Sequence, residues 1–164
     1  MKYLITLFLF TYSSALAGDT IIAGKITSDH QEDIAMVTAG VALANKVDSS
    51  QCFINQVLNS VYSENQSYTQ KQISDMMQTT VVTVNIVMYD GSWIDNRWNH
   101  TIGYEDENIP NTVFSNRYFV NTVAMVADNI THEVKGHSLG FRHDYYKPTS
   151  VPYGANIAFE ECNK

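Results

Sequence analysis

The sequence predicts an α+β fold, with a mixed β-sheet packed on helices and a candidate functional helix that stops at a glycine turn. Three observations lead there. Between residues 28 and 79 the apolar residues recur at helical spacing. The period then drops to two in TTVVTVNIVMY (79–89), where Val82, Val84, Ile86 and Met88 alternate with Thr83 and Asn85. Helical spacing returns from Asn121 to Leu139, with Val123, Ala127, Ile130 and Val134 as its apolar stripe, and Gly140 follows in place to end the helix in the left-handed conformation.

At the start, MKYLITLFLFTYSSALAGDT combines Lys2, an apolar run from Tyr3 to Tyr12, and Ala15 and Ala17 in A-x-A spacing. This pattern reads as a signal peptide over residues 1–17, cleaved before Gly18, and the run falls short of the roughly 20 residues a spanning helix needs. The chain is therefore expected to be exported, secreted or periplasmic, and to fold as one domain over residues 18–164. Residues 18–27 show no clear period and receive no element. Ser28 and Gln31 then stand in capping-box spacing before Ile34, Val37, Val41 and Ala44, a first helix. A second follows in SSQCFINQVLN, with Cys52, Phe53, Val57 and Leu58 on its apolar face. Thr69 and Gln72 open a third carrying Ile73, Met76 and Met77.

After the alternating strand, Asp90 and Gly91 make a turn, and Trp93 and Trp98 fall in the loop beyond it. HTIGY (100–104) and TVFSNRYFV (112–120) read as two further strands, separated by the acidic loop EDENIPN. Past the glycine turn come Pro148, Pro152 and a short final element.

The formal net charge is −7, and loss of Lys2 with the leader makes it −8. Such a surface repels phosphate backbones and anionic lipid, so neither nucleic acid nor membrane is expected as a partner, and the chain is expected to be a monomer. Export would carry Cys52 and Cys162 to an oxidising compartment, where they either pair or remain two buried thiols; pairing is the favoured reading.

The chemistry is concentrated in THEVKGHSLGFRHD (131–144), which holds three of the five histidines. With Lys135 removed, the remainder, HEVGHSLGFRHD, fits HExxHxxGxxHD at every defined position. The stretch therefore resembles the long zinc signature of the metzincin metallopeptidases, with a one-residue insertion. SVPYG (150–154) is similar to the end of a group of small exported bacterial metzincin-like proteins. The resemblance covers about the last third of the chain and implies a zinc metallopeptidase acting on a peptide or protein substrate. His132, His137 and His143 would be the Zn ligands and Glu133 the general base. Tyr153 is a candidate hydrogen-bond donor to a developing oxyanion, or else a packed turn residue. HTIGY would be the cleft-edge strand along which an extended peptide lies. No methionine follows Met125, so the Met-turn of that family would have to be made by Ser150 to Tyr153.

The insertion decides the geometry. On a regular helix residues four apart differ by about 40° around the axis, but five apart by about 140°. His132 and His137 can then reach one ion only through a π-bulge, which absorbs one extra residue. The bulge is the favoured reading, because Gly136 gives the backbone latitude to deform. Lys135 is expected to be a solvated side chain there. On an undistorted helix Glu133, His137 and His143 would instead be the ligands, leaving no general base and an inactive metal-binding or peptide-binding protein. His30 and His100 are expected on the surface, and Asp144 to orient or cap near His143.

Overall fold

The structure, a computed structural model, describes residues 20–60, 67–106, 108–143 and 150–164. The expected leader, Asp144 and Pro148 lie outside the described residues. In chain order the elements are β1 (Ile21–Thr27), α1 (Gln31–Asp48), α2 (Gln51–Asn59), α3 (Gln70–Thr79), β2 (Val82–Tyr89), a short π-helical turn (Asp95–Asn99), β3 (Gly103–Glu105), β4 (Thr112–Asn116), α4 (Val123–Ile130), a π-helix (Thr131–Ser138) and α5 (Val151–Cys162). The architecture is α+β, with a mixed four-stranded sheet in the order β1-β2-β4-β3. β1 and β4 run parallel to β2, and β3 is antiparallel to β4 at the sheet edge.

Alternation in β2 does what its period requires. Val84, Ile86 and Met88 are buried while Thr83 and Asn85 are exposed, so one face of the strand joins the core and the other does not. The same core takes Val37, Val41 and Ala44 of α1 and Val126, Ala127 and Ile130 of α4. A Cβ on Gly40 of α1 would stand 2.3 Å from Val126 Cγ1, so the lack of a side chain at residue 40 sets how closely α1 and α4 approach.

Several expectations are corrected. β1 occupies residues that received no element. Its signal is broken by Gly24 and by a shift in register between Ala23 and Ile26, and Asn45 of α1 fixes its start by accepting from the amides of Thr20 (3.2 Å) and Ile21 (2.9 Å) and donating to the Ile21 carbonyl (2.7 Å). Ser28 does not cap α1. Its hydroxyl donates to Asp33 at 2.6 Å and accepts from the His30 amide, and His30 occupies the N-cap. The strand expected at 100–104 is confined to Gly103–Glu105, because His100, at φ 48°, closes the π-helical turn before it. The one expected at 112–120 stops at Asn116, whose carbonyl accepts from the amides of Phe119 and Val120 and turns the chain.

The capping box of α3 is as expected, with Gln72 Oε1 accepting from the Thr69 amide at 2.9 Å. Cys52 and Cys162 form a disulfide between the beginning of α2 and the end of α5, with Cα atoms 5.7 Å apart. Among the described residues no helix is long and apolar enough to cross a membrane.

Candidate metal centre

Residues 123–138 form one continuous helical path whose second half is π-helical. Thr122 caps its start, accepting from the Met125 amide at 3.2 Å. From Thr131 onward the backbone follows the i to i+5 pattern, so residues five apart lie over one another. The inserted residue is thus absorbed along eight residues rather than at a single bulge, and His132 and His137 share a face. The helix stops in a Schellman arrangement. The Gly140 amide donates to the His137 carbonyl (2.8 Å), the Phe141 amide donates to the Gly136 carbonyl (3.1 Å), and Gly140 is left-handed at φ 87°. This sharp turn returns His143 to the other two imidazoles.

The three rings converge through their Nε2 atoms. His132 Nε2 is 2.9 Å and His137 Nε2 3.2 Å from His143 Nε2, and one ligand atom from each residue lies within 4.8 Å of the others. The far side of two of the rings fixes the tautomer. His137 Nδ1 donates to the Phe141 carbonyl at 3.0 Å. His132 Nδ1 donates to Asn156 Oδ1, whose amide nitrogen donates to Asp128 Oδ1 at 2.6 Å and so fixes which way the amide faces. With both Nδ1 atoms protonated, both Nε2 atoms are bare acceptors. A single His143 Nε2–H satisfies at most one of them, so the donor set fits a cation. Burial pushes the His132 imidazole down to about 4, helped by His137 and His143 and opposed by the Asn156 bond. Burial also lowers His137 and His143. Neutral imidazoles are the form that binds metal.

Glu133 lies beside this cluster. Its carboxyl is buried, and Oε2 has no hydrogen-bond partner among the described residues. Burial first, and Glu105 second, push it up to about 8 in the metal-free protein. Glu105, at the end of β3, accepts from the Ser138 hydroxyl and so ties the edge strand to the end of the π-helix. Further along, a Cβ on Gly103 would stand 2.4 Å from Asn129 Oδ1, so strand and helix are in close contact there too.

The cleft in front of the histidines has a volume of about 880 Å³. One wall is Ile102 and Gly103, another is Met125, Asn129 and Glu133, and Tyr153, Asn156 and Ile157 of α5 close it. Tyr153 stacks on His143, with ring centroids 4.6 Å apart and planes at 15°.

Three expectations change. Lys135 is buried, not solvated. Residues five apart superpose here, so it lies over Ile130 on the face that α4 turns to the core. Gly136 serves close packing rather than backbone latitude, because a Cβ there would stand 2.6 Å from Pro152 Cβ. Ser150 to Tyr153 is not a free-standing turn but the N-cap and first turn of α5, with Pro152 in the first turn. His100 is exposed, as expected, at the rim of the cleft, and His30 is partly exposed, 3.4 Å from Asp90. Of the two metal arrangements, the structure assembles His132, His137 and His143, not Glu133 with two histidines.

Sequence reasoning missed Asn156. Nothing in NIAFEECNK distinguishes it from a solvated helix residue, and its role depends on α5 docking against the π-helix. Comparison with family models, with curated proteins and with solved structures finds no match to this chain.

Proposed function

We propose that the protein is an exported zinc metallopeptidase of the metzincin kind, cleaving peptide bonds in an extended peptide or protein substrate. The observation that carries the proposal is the pairing of two features at one place: three neutral imidazoles whose Nε2 atoms converge, and a buried Glu133 carboxyl in the same cleft whose Oε2 has no partner among the described residues. His132, His137 and His143 would hold the ion. Zinc held there would supply Lewis-acid activation of water and of the scissile carbonyl. Glu133 takes the proton of the attacking water at Oε2 and passes it to the leaving amine. Asn156 and the Phe141 carbonyl hold two of the rings in the ligating tautomer. β3, at the edge of the sheet and beside the cleft, receives the substrate backbone as an added strand, and Tyr153 stands where its hydroxyl could meet a developing oxyanion. Export agrees with the leader-like N-terminus and with the disulfide.

A second reading, a metal-binding protein without catalysis on the same scaffold, draws support from the pairing of Glu133 with Glu105. Burial beside another carboxyl favours a protonated Glu133, and a protonated carboxyl is no base.

One variant separates the readings. Glu133→Ala should keep one zinc per chain by elemental analysis and lose hydrolysis of an unfolded protein substrate by on the order of 10²- to 10⁴-fold. A wild type that carries zinc but shows no chelator-sensitive hydrolysis establishes the binding protein instead. Zinc content unchanged in a His137→Ala, His143→Ala double variant removes the metal centre altogether.

A further inference from the structure

The π-helix has a second polar face, opposite the histidines, which the proposed chemistry does not use. Lys135 is 1% exposed. Its ammonium donates to the Thr20 hydroxyl and to the Met77 carbonyl. The buried Asp48, at the end of α1, attracts Lys135 and accepts the Thr131 hydroxyl at 3.2 Å. These anchors are themselves fixed. The Thr20 amide donates to Asn45 Oδ1, the Thr20 carbonyl accepts from the Val82 amide at 2.8 Å, and Met77 is fully buried in α3.

A lysine and an aspartate are costly to bury, and an apolar residue would fill the same space without that desolvation cost. What the polar pair adds is direction. An ammonium with three protons reaches its acceptors only when the stem leaves the helix toward β1 and α3. Thr131 and Lys135, four residues apart, thereby fix the rotation of the segment on both sides of His132. Were the segment a regular α-helix, residues 132 and 137 would diverge by about 140°. Lys135 would stay near Thr131 but turn away from Ile130, so its stem would no longer be aimed as it is at Thr20 and Met77. The same five-residue register therefore satisfies the lysine behind and gathers the histidines in front.

We infer that Lys135, with Asp48, is a positioning residue: a buried tether that holds the π-register and so brings His132 and His137 to one point. The inference rests on the histidine cluster as the metal centre, but its effect is visible without metal. A Lys135→Met, Asp48→Asn double variant removes both charges together and leaves no uncompensated ion.

The test uses the full chain, ¹⁵N-labelled at histidine, with zinc titrations alongside. In the wild type, the metal-free His132 ring should be the Nδ1–H tautomer. In the double variant, with native far-ultraviolet circular dichroism and the disulfide retained, the His132 ring should lose that single tautomer and zinc affinity should fall on the order of 10- to 100-fold. Deleting Lys135 in the Asp48→Asn background restores four-residue spacing and should recover affinity relative to the double variant.

Unchanged His132 signals together with unchanged zinc affinity in the double variant overturn the tether and leave the metal centre standing. A wild type that takes no zinc, but whose His132 signals still shift in the double variant, overturns the metal centre and leaves the tether. Should the double variant fail to fold, Thr20→Val removes one anchor alone. A smaller shift of the same signals supports the tether, and no shift overturns it.

Discussion

The two faces of the π-helix carry polar side chains of opposite kinds. Behind, the Lys135 ammonium donates to Thr20 and to the Met77 carbonyl, and the Thr131 hydroxyl donates to Asp48. In front, one His143 Nε2–H satisfies at most one of the two Nε2 acceptors of His132 and His137, and Glu133 Oε2 has no hydrogen-bond partner among the described residues. Buried polar groups are ordinarily paired, so the contrast is informative. The paired face holds shape, and the face left short of donors is where a ligand is to be sought. Sequence reasoning located the histidine face but not the paired one, because it placed Lys135 in solvent.

The contrast can be broken from the side, where the helix meets α5. A methyl group at residue 136 would lie 2.6 to 2.9 Å from three carbon atoms of Pro152, one of them backbone and the others in a rigid ring. Gly136→Ala should destabilise the fold by about 1–3 kcal/mol, outweighing the roughly 0.5–1 kcal/mol that alanine contributes to an ordinary helix interior. Chemical denaturation checks the first quantity. A stabilised variant would show that α5 shifts freely, and that the cleft wall it forms is not fixed.

A smaller effect sharpens the front face. Asn156→Ala removes the acceptor that holds the proton on His132 Nδ1, without touching a ligand. Zinc affinity should fall on the order of 10- to 100-fold with the stoichiometry unchanged, as read by competition with a chelator. Equal affinity would mean that His132 keeps its tautomer by other means.

The smallest is a pH effect one layer further out. Burial first pushes the Asp128 carboxyl up from 3.8 to about 6, against the hydrogen bond from Asn156 and with help from Glu160. The native state thus holds this proton more tightly than the unfolded chain. That contribution is fully present below about pH 4 and is lost as the pH rises through about 6. Asp128→Asn should flatten that part of the stability profile while keeping an acceptor for Asn156. An identical slope in both proteins would assign the titration elsewhere.

How far these features were legible in the sequence follows from the range over which each is determined. The α3 cap needs only Thr69 and Gln72, and the faces of β2 need only alternation, so both could be read directly. The histidine signature was legible through the insertion because its later part, from His137 to His143, keeps its spacing. β1 was not, since a seven-residue strand containing a glycine and a register shift carries no period, and its position depends on Asn45, which is 24 residues beyond Ile21. Lys135 was misplaced for a different reason. Its direction depends on the helix type, and the helix type depends in turn on what Lys135 reaches.

The disulfide has a consequence for the life of the chain. Cys52 and Cys162 are 110 residues apart, and every residue assigned a part at the metal centre lies between them. A single cut anywhere in that interval opens a ring rather than releasing a fragment. Both ends stay on one covalent molecule, and the histidines remain joined to Tyr153 and Asn156 through the bridge even when the cut falls between them. A nicked molecule would keep its mass, apart from one added water, and would separate into two pieces only under reduction. For a protein proposed to cleave peptide bonds, that is a built-in tolerance of its own kind of damage.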